Sequence, residues 1–381
     1  MISFSLETPR TICFGNGSLE RIREMARGLG RRVVIVSGHG WLGSSPWGAR
    51  IPAILDGCAI HTVSCPAGEP TCASLSAAAA DAARFGPDLL LAVGGGSVID
   101  TAKALSALLR SPGPVERFLE GLEGSLPGPG PGVPWIAVPT TAGTGAEVTK
   151  NAVVKAESLG VKRSMRSAHL LAHAVCVDPA LTTSLPLGVT GTSGLDALTQ
   201  LVEAYVTRGS TPPVRSLVEG AMPGMLEALA RLPGAPTDTT LRSMACYGSL
   251  MSGIALANAG LGAAHGFAAA VGGMFDVPHG LACAVFLPHV LRVNAATISQ
   301  PLERLLRDVP GRSAQTDPVE WLGAEVTRLL GLYGLPSDLR AYGIPKDSLD
   351  VLAERSSGSS MRGNPRELSM EERKRILSLV I

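Results

Sequence analysis

Five apolar residues, Leu89-Leu90-Leu91-Ala92-Val93, are followed directly by Gly94-Gly95-Gly96-Ser97-Val98-Ile99-Asp100. The apolar run predicts a buried strand, and the apolar residues after the glycines recur at helical spacing. Ser97 and Asp100 have the spacing of a capping box, which predicts the start of the helix. Glycines let a backbone approach a pyrophosphate, and a helix N-terminus offers free N–H groups. The unit therefore predicts a dinucleotide site, although it is not G-x-G-x-x-G and a tight turn without a ligand is the alternative.

Flanking segments extend this unit into a domain. Apolar runs at 32–36 and 135–138 predict two more strands, and the Ala-rich segment 74–84 predicts a helix between strands. Continuous apolar strands separated by helices are typical of a parallel sheet covered on both faces. From about Leu185 the pattern is helical only, as in 196–207, 214–232 and 241–257. We therefore predict an α/β dinucleotide-binding domain with a parallel sheet at 1–180 and an all-α domain at 181–381.

A second polar loop, Pro139 to Glu147, also follows a predicted strand, and it contains Thr140, Thr141 and Thr144. Ligands of open α/β sheets bind at the carboxyl ends of the strands. Taken alone, the segment could equally be an ordinary polar loop. Two such loops on one sheet favour a dinucleotide crevice.

Composition excludes several classes of protein. Of 381 residues, 45% are hydrophobic, which is enough to fill substantial cores and argues against disorder. Lys and Arg exceed Asp and Glu by only 33 to 32, and aromatic residues are 4%, so neither nucleic acid nor an anionic membrane surface is an expected partner. The apolar runs are interrupted by Gly, Pro or charge before about 20 residues, so we expect no membrane span.

The seven cysteines are scattered and form no CxxC pair, which supports neither a disulfide framework nor a zinc knuckle. Residues 1–10 lack the apolar core of a signal peptide. We therefore expect a cytoplasmic protein.

A third group of polar residues lies in the helical half: Asp196, Gln200, His265 and His279. Asp196 and Gln200 are four residues apart and share one helix face. On one continuous helix the two histidines would lie ~21 Å apart, so they converge only if the chain turns between Gly272 and Pro278. A carboxylate and two imidazoles suit a divalent iron, zinc or manganese ion. Unrelated, hydrogen-bonded histidines are the alternative.

The chain resembles the iron-dependent (group III) alcohol dehydrogenase family over nearly its whole length. The matching pieces are GGGSVIDTAK at 94–103, PTTAGTGAEVT at 139–149, Lys162, DPALTTSLP at 178–186, TSGLDALTQLVEAYV at 192–206, HGFAAAVGGMFDVPHG at 265–280, LPHV at 287–290 and SSMRGNP at 359–365. The resemblance implies an NAD(P)-dependent oxidoreductase acting on CH–OH groups, with its active site in a cleft between the two domains. It also implies a homodimer or higher homo-oligomer and a small alcohol or aldehyde as substrate.

Carried over by position, the resemblance assigns the cofactor-binding residues. Gly95, Gly96 and Ser97 would hold the pyrophosphate, with Gly38 and Asp100 also at the cofactor. Thr140, Thr141 and Thr144 would line the nicotinamide side, and Lys162 and Leu181 the ribose side. Lys162 and His279 are the predicted catalytic residues.

The resemblance also assigns the metal ligands, and here the chain departs from the family pattern. Asp196, His265 and His279 occupy three of four ligand positions, but the fourth, usually histidine, is Gln200. The family commonly has a further histidine four residues after the position of His265, but this chain has Ala269 there. A neutral amide oxygen is a harder and weaker ligand than imidazole, so we expect a bound iron or zinc ion to be weakened. The alternative is a metal-free enzyme in which His279 donates to the substrate oxygen.

Several functions stay open at this point. NAD(P)-dependent reduction of an aldehyde or ketone, or the reverse oxidation, leads. Activity like that of maleylacetate reductase or glycerol dehydrogenase, or a non-catalytic nucleotide-binding role, are the alternatives. In this family an Asp commonly follows the second strand, where this chain has Val36-Ser37-Gly38-His39, so we expect NADP(H) to be accepted and even preferred.

Overall fold

A computed structural model describes residues 3–381. They divide into two compact units, and each is described by itself. The sheet unit contains residues 8–141 and 146–182. The helical unit contains residues 3–7, 142–145 and 183–381.

The sheet unit is built on six parallel strands. They are β1 (Thr11–Phe14), β2 (Arg32–Gly38), β3 (Ala59–Cys65), β4 (Leu89–Gly94), β5 (Trp135–Pro139) and β8 (Ala174–Val177), in the order β1-β8-β5-β4-β2-β3. The central strands β4 and β5 are buried at every residue, because both faces of the sheet are covered. An antiparallel hairpin of β6 (Asn151–Ala156) and β7 (Val161–Arg166) forms a separate small sheet.

Five helices belong to the sheet unit: α1 (Ile22–Ala26), α2 (Trp41–Ser44), α3 (Arg50–Ile54), α4 (Cys72–Phe85) and α5 (Gly96–Leu108). Short 3-10 helices add turns at Ser18–Arg21, Val115–Phe118, Ala146–Val148, Glu157–Leu159, Ala168–Leu170 and Pro179–Thr182. One apolar core lies on the face of the sheet covered by α1 and α3. A second core lies where α4 and α5 meet the hairpin.

The helical unit contains nine α-helices and no strand among its described residues. They are α6 (Leu187–Val206), α7 (Pro212–Arg231), α8 (Thr239–Ala259), α9 (Ala263–Met274), α10 (His279–Leu305), α11 (Pro318–Leu332), α12 (Leu349–Arg355), α13 (Ser359–Gly363) and α14 (Met370–Val380), with 3-10 turns at Arg340–Tyr342 and Lys346–Ser348. Helices α6, α7 and α8 cover the three segments that the sequence predicted as helical. The predicted fold class, a parallel α/β domain followed by helices, is confirmed.

One expectation about apolar segments needs correction. By length and composition α10 is apolar enough to cross a membrane, and α8 with α9 passes the same test as a pair bent by 95°. Pro288 lies inside the apolar sequence of α10 and does not end the helix. Within the most apolar window of α10, 67% is buried inside the protein, so the core of the helical unit accounts for its apolar character.

Candidate functional site

The turn between β4 and α5 has the geometry of a phosphate-binding turn. Gly94 ends the strand, Gly95 precedes the helix in an extended conformation, and α5 begins at Gly96. The amides of Val98 and Ile99 both donate to the Gly95 carbonyl, so the N–H groups of Gly96 and Ser97 lie ahead of the helical ladder. The sheet thus ends in a side-chain-free turn with helix N–H groups at its edge, which suits an anion.

The predicted capping box is wrong. No side chain caps α5, and the carboxylate of Asp100 instead accepts hydrogen bonds from the Val153 amide at 3.0 Å and from Lys103 Nζ at 3.3 Å. Lys103 is fully buried and also donates to the Thr149 hydroxyl and the Asn151 carbonyl, each at 2.7 Å. Asp100 therefore ties α5 to the hairpin. A binding role for Asp100 at the cofactor stays a prediction.

The second loop lies beside the first in the sheet unit. The Thr140 amide donates to the Gly94 carbonyl at 3.0 Å, which aligns the two loops. A Cβ atom at Gly95 would lie 3.2 Å from Thr141 Cγ2, so Thr141 already packs on the turn. Residues 142–145, which include Thr144, belong instead to the helical unit.

The other residues predicted for the cofactor lie apart in the sheet unit. Gly38 ends β2, next to the exposed His39, whose Nδ1 is 3.3 Å from the Ser64 hydroxyl. Lys162 lies on β7 and pairs with Glu69 at 2.7 Å. The Leu181 side chain is buried in the core under the sheet. The roles of Gly38, Lys162 and Leu181 at the cofactor stay predictions.

A cluster of polar side chains is assembled from three helices of the helical unit. Asp196 and Gln200 lie on α6, His265 lies on α9, and His279 is the first residue of α10. The chain turns at 275–278, within the interval from Gly272 to Pro278 that the sequence suggested, and brings the two imidazole rings to 5.5 Å between centroids. A Cβ atom at Gly280 would lie 2.1 Å from the Thr192 carbonyl oxygen, so only glycine allows α10 to approach α6 this closely.

Ligand-type atoms meet at the centre of this cluster. His265 Nε2 lies 3.3 Å from Asp196 Oδ1, and His279 Nε2 lies 4.0 Å from the same oxygen. Cys283, one turn after His279, places its Sγ 3.6 Å from His279 Nε2. One ligand atom from each of these four residues lies within 4.8 Å of the others. The sequence reasoning missed Cys283, although its i, i+4 spacing from His279 places both on one face of α10.

Two buried atoms of the cluster indicate that a cation fits there. Asp196 Oδ1 and His265 Nε2 are buried without a hydrogen-bond partner, which is costly for polar atoms. The other ring nitrogen, His265 Nδ1, lies 2.7 Å from Glu203 Oε2, so this buried carboxylate fixes the tautomer with a free lone pair on Nε2. These are the features of a prepared metal ligand. The sequence reasoning missed Glu203, which follows Asp196 and Gln200 at i, i+4, i+7 on one helix face.

The electrostatics of the cluster favour positive charge. Burial opposes ionisation of Asp196, but the neighbouring imidazoles of His265 and His279 outweigh it and lower the pKa of that carboxyl. The neighbouring Cys283 and Asp196 raise the pKa of His279 to about 9, against the opposing effect of burial. The surroundings of the cluster therefore stabilise positive charge at both imidazoles.

Gln200 does not direct its oxygen into the cluster. Its Nε2 donates to Asp196 Oδ2 at 3.2 Å, and its Oε1 accepts from the Ser252 hydroxyl at 2.8 Å. Gln200 thus contacts the oxygen of Asp196 that faces away from the histidines. The Gln200 oxygen predicted as a ligand is engaged by Ser252 in this structure.

Comparison with known proteins identifies the chain at this point. Residues 9–179 match the profile of iron-containing alcohol dehydrogenases, and residues 190–380 match the C-terminal domain profile of the same family. The chain belongs to the iron-containing alcohol dehydrogenase family. The resemblance stated from its motifs is confirmed, and the protein is an oxidoreductase acting on CH–OH groups.

Individual relatives agree. The chain is 32% identical to the probable alcohol dehydrogenase EutG of Escherichia coli K12 over 367 residues, which cover 96% of this chain and 91% of the relative. It is 28% identical to the NADPH-dependent butanol dehydrogenase of Clostridium saccharobutylicum over 390 residues, covering 100% and 98%. The crystal structure of a 1,3-propanediol oxidoreductase superposes with a TM-score of 0.91 at 28% identity, covering 100% of both chains.

Proposed function

We propose that this iron-containing alcohol dehydrogenase family member is an NAD(P)-dependent enzyme that transfers hydride between a nicotinamide and a small aldehyde, ketone or alcohol. The observation that carries the proposal is the cluster of Asp196, His265 and His279. Asp196 Oδ1 and His265 Nε2 are buried there without a hydrogen-bond partner, an arrangement that has no role in a protein without a catalytic or binding function. The glycine turn after β4 supports the nucleotide part. A degenerate, non-catalytic member would have no reason to keep these polar atoms buried without partners.

Different residues of the chain have different roles in the proposed reaction. The N–H groups of Gly96 and Ser97 bind the pyrophosphate of the dinucleotide. The nicotinamide of that dinucleotide supplies the hydride in the reducing direction. When bound, a divalent metal supplies Lewis-acid polarisation of the substrate oxygen. Asp196 and His265 would hold it, with Glu203 orienting the imidazole. His279 is 45% exposed, so its ring also reaches solvent and can hydrogen-bond a substrate oxygen.

A panel of small aldehydes, ketones and alcohols, including glycerol and maleylacetate, tests this proposal through NAD(P)H absorbance. The assay is run with and without added Fe²⁺ or Zn²⁺. We expect turnover of at least one carbonyl substrate. Tight NAD(P) binding without turnover of any member would favour the non-catalytic alternative. Chelator-insensitive turnover by protein without metal would favour His279 as the donor.

NADP(H) is proposed as an accepted and even preferred cofactor. Strand β2 ends in Ser37-Gly38-His39, so no carboxylate at this position repels a 2′-phosphate, and the exposed His39 is a potential donor. The butanol dehydrogenase relative is named as NADPH-dependent. The change His39→Asp should lower the preference for NADPH over NADH about 10-fold, equal to about 1.4 kcal/mol. A strong preference of the wild type for NADH would contradict the proposal.

A cytoplasmic location and a homodimeric or higher oligomeric state belong to the same proposal. None of the seven cysteines, all of which the structure describes, forms a disulfide, which agrees with a reducing compartment. Light scattering of the purified protein tests the oligomeric state.

A further inference from the structure

We propose that Cys283, and not Gln200, supplies the fourth ligand of the metal site, which makes it an Asp196–His265–His279–Cys283 site suited to zinc. The inference rests on the metal part of the proposed function. It concerns the residue at which the chain departs from the family pattern and the thiol that the structure places beside it.

Two distances in the cluster match those of a tetrahedral site with one sulfur ligand, and all four ligand atoms lie within 4.8 Å of one another. Bond lengths of about 2.1 Å to nitrogen or oxygen and about 2.3 Å to sulfur place tetrahedral ligand atoms ~3.4 Å apart, or ~3.6 Å when one is sulfur. The 3.3 Å between His265 Nε2 and Asp196 Oδ1 and the 3.6 Å between His279 Nε2 and Cys283 Sγ agree with these values. The 4.0 Å between His279 Nε2 and Asp196 Oδ1 is within a small rotation of the imidazole.

Cys283 is held where a ligand is needed. It is fully buried in the first turns of α10, and its i, i+4 spacing from His279 aims both side chains at α6. Asp196 Oδ1, the unpartnered oxygen, is the one that faces the histidines. Side chains from three helices therefore converge on one point without Gln200.

Gln200 has a different role, because both ends of its amide are occupied. Its Nε2 donates to Asp196 Oδ2 and its Oε1 accepts from Ser252. Reversing the amide would place two acceptors, Gln200 Oε1 and Asp196 Oδ2, in contact at 3.2 Å, which is repulsive. Gln200 is thus a positioning residue that orients Asp196 from behind.

The ligand set carries a consequence for the choice of metal. Thiolate is a soft ligand that selects zinc over iron, whereas the amide oxygen it replaces in this role is hard. The chain has Gln200, which orients Asp196, where the family usually has a ligand histidine. The thiol of Cys283 supplies the fourth ligand instead and shifts the site towards zinc.

Cobalt(II) provides a direct spectroscopic test on the full-length protein. Cobalt replaces zinc in tetrahedral sites, and a thiolate bound to it gives an intense sulfur-to-metal band in the near ultraviolet that nitrogen and oxygen ligands do not give. We expect this band in the wild type at one cobalt per chain. The wild-type spectrum alone tests the assignment, so the test does not depend on how any variant folds.

Three variants sharpen the assignment. Cys283→Ala should lose the band and bind cobalt at least ~100-fold more weakly, beyond the range of an outer-shell change. Gln200→Leu should keep the band and lose only about 10- to 100-fold in affinity, as expected for a residue that orients a ligand. Cys246→Ala, a buried thiol of α8 outside the cluster, is the matched control and should leave both unchanged.

The outcomes separate this inference from the proposed function. A cobalt-loaded wild type without the band, an unchanged affinity in Cys283→Ala, or a wild type that binds no cobalt each overturns the inference, whatever turnover is observed. A thiolate band without any NAD(P)H turnover supports the inference and contradicts the proposed function.

Discussion

The turn after β4 and the cluster of the helical unit are built in opposite ways. In the turn, three consecutive glycines expose backbone N–H groups, and side chains contribute mainly by being absent. In the cluster, side chains from α6, α9 and α10 meet at one point. The turn spans a few contiguous residues, whereas the cluster joins residues up to 87 positions apart, from Asp196 to Cys283.

Because of this difference, the two regions are sensitive to different kinds of substitution. A turn that depends on free space is damaged by adding atoms, and one added branch is enough. A cluster that depends on orientation is damaged by removing a supporting hydrogen bond, even when every ligand is kept. The variants below test these two sensitivities.

The largest effect is expected for Gly95→Val. A Cβ atom there would already lie 3.2 Å from Thr141 Cγ2, and the two further methyl groups fill the space predicted for the pyrophosphate. The added methyl groups would exclude the pyrophosphate from the turn, and we expect an affinity loss of about 100-fold, equal to about 2.8 kcal/mol. Titration of NADPH by fluorescence measures it. Gly130→Val, at an exposed glycine with no atom near its Cβ, is the control, and equal affinity of the two variants would remove the turn from the site.

A smaller effect is expected for Glu203→Gln, which keeps the ligands and changes only their support. The carboxylate accepts from the Ala264 amide and from His265 Nδ1, both at 2.7 Å. A glutamine has one acceptor oxygen for these two donors, so metal affinity should fall about 10- to 100-fold. Competition with a chelator measures it. The control is Glu219→Gln, which keeps an acceptor for Tyr205. If the two variants bind metal equally well, Glu203 does not orient His265.

The sequence predicted the regions whose signal is local. Strands β2, β4 and β5 were found because they are buried on both faces and read as apolar runs. The edge strands β1 and β3 and the hairpin of β6 and β7 were missed, because their half-exposed residues carry no such run. The four residues of β8 are buried but too few to give a signal.

The site shows the same limit. Asp196, His265 and His279 were selected together and do converge, although the assignment as ligands rested on the resemblance and stays a prediction. Cys283 was missed because it lies outside the matching pieces, and Glu203 was missed because no role was assigned to it within the piece at 192–206. The capping box failed because Asp100 makes its bonds to the hairpin, a contact that local spacing does not reveal.

The smallest effect concerns a buried charge at the end of the second loop. Glu147 is 3% exposed, and burial raises the pKa of its carboxyl to about 7, from an ordinary value near 4.5, despite the nearby Lys103. Because the folded pKa is the higher one, the stability associated with the protonated form is complete below pH 4.5 and is lost as the pH rises through 7. Glu147→Gln should therefore stabilise the protein at pH 8 more than at pH 5, by about 2 kcal/mol. Urea unfolding at the two pH values measures the difference. Glu123→Gln, at an exposed position of the same unit, should show none, and a pH-independent effect of Glu147→Gln would mean that this carboxyl is already ionised at pH 5.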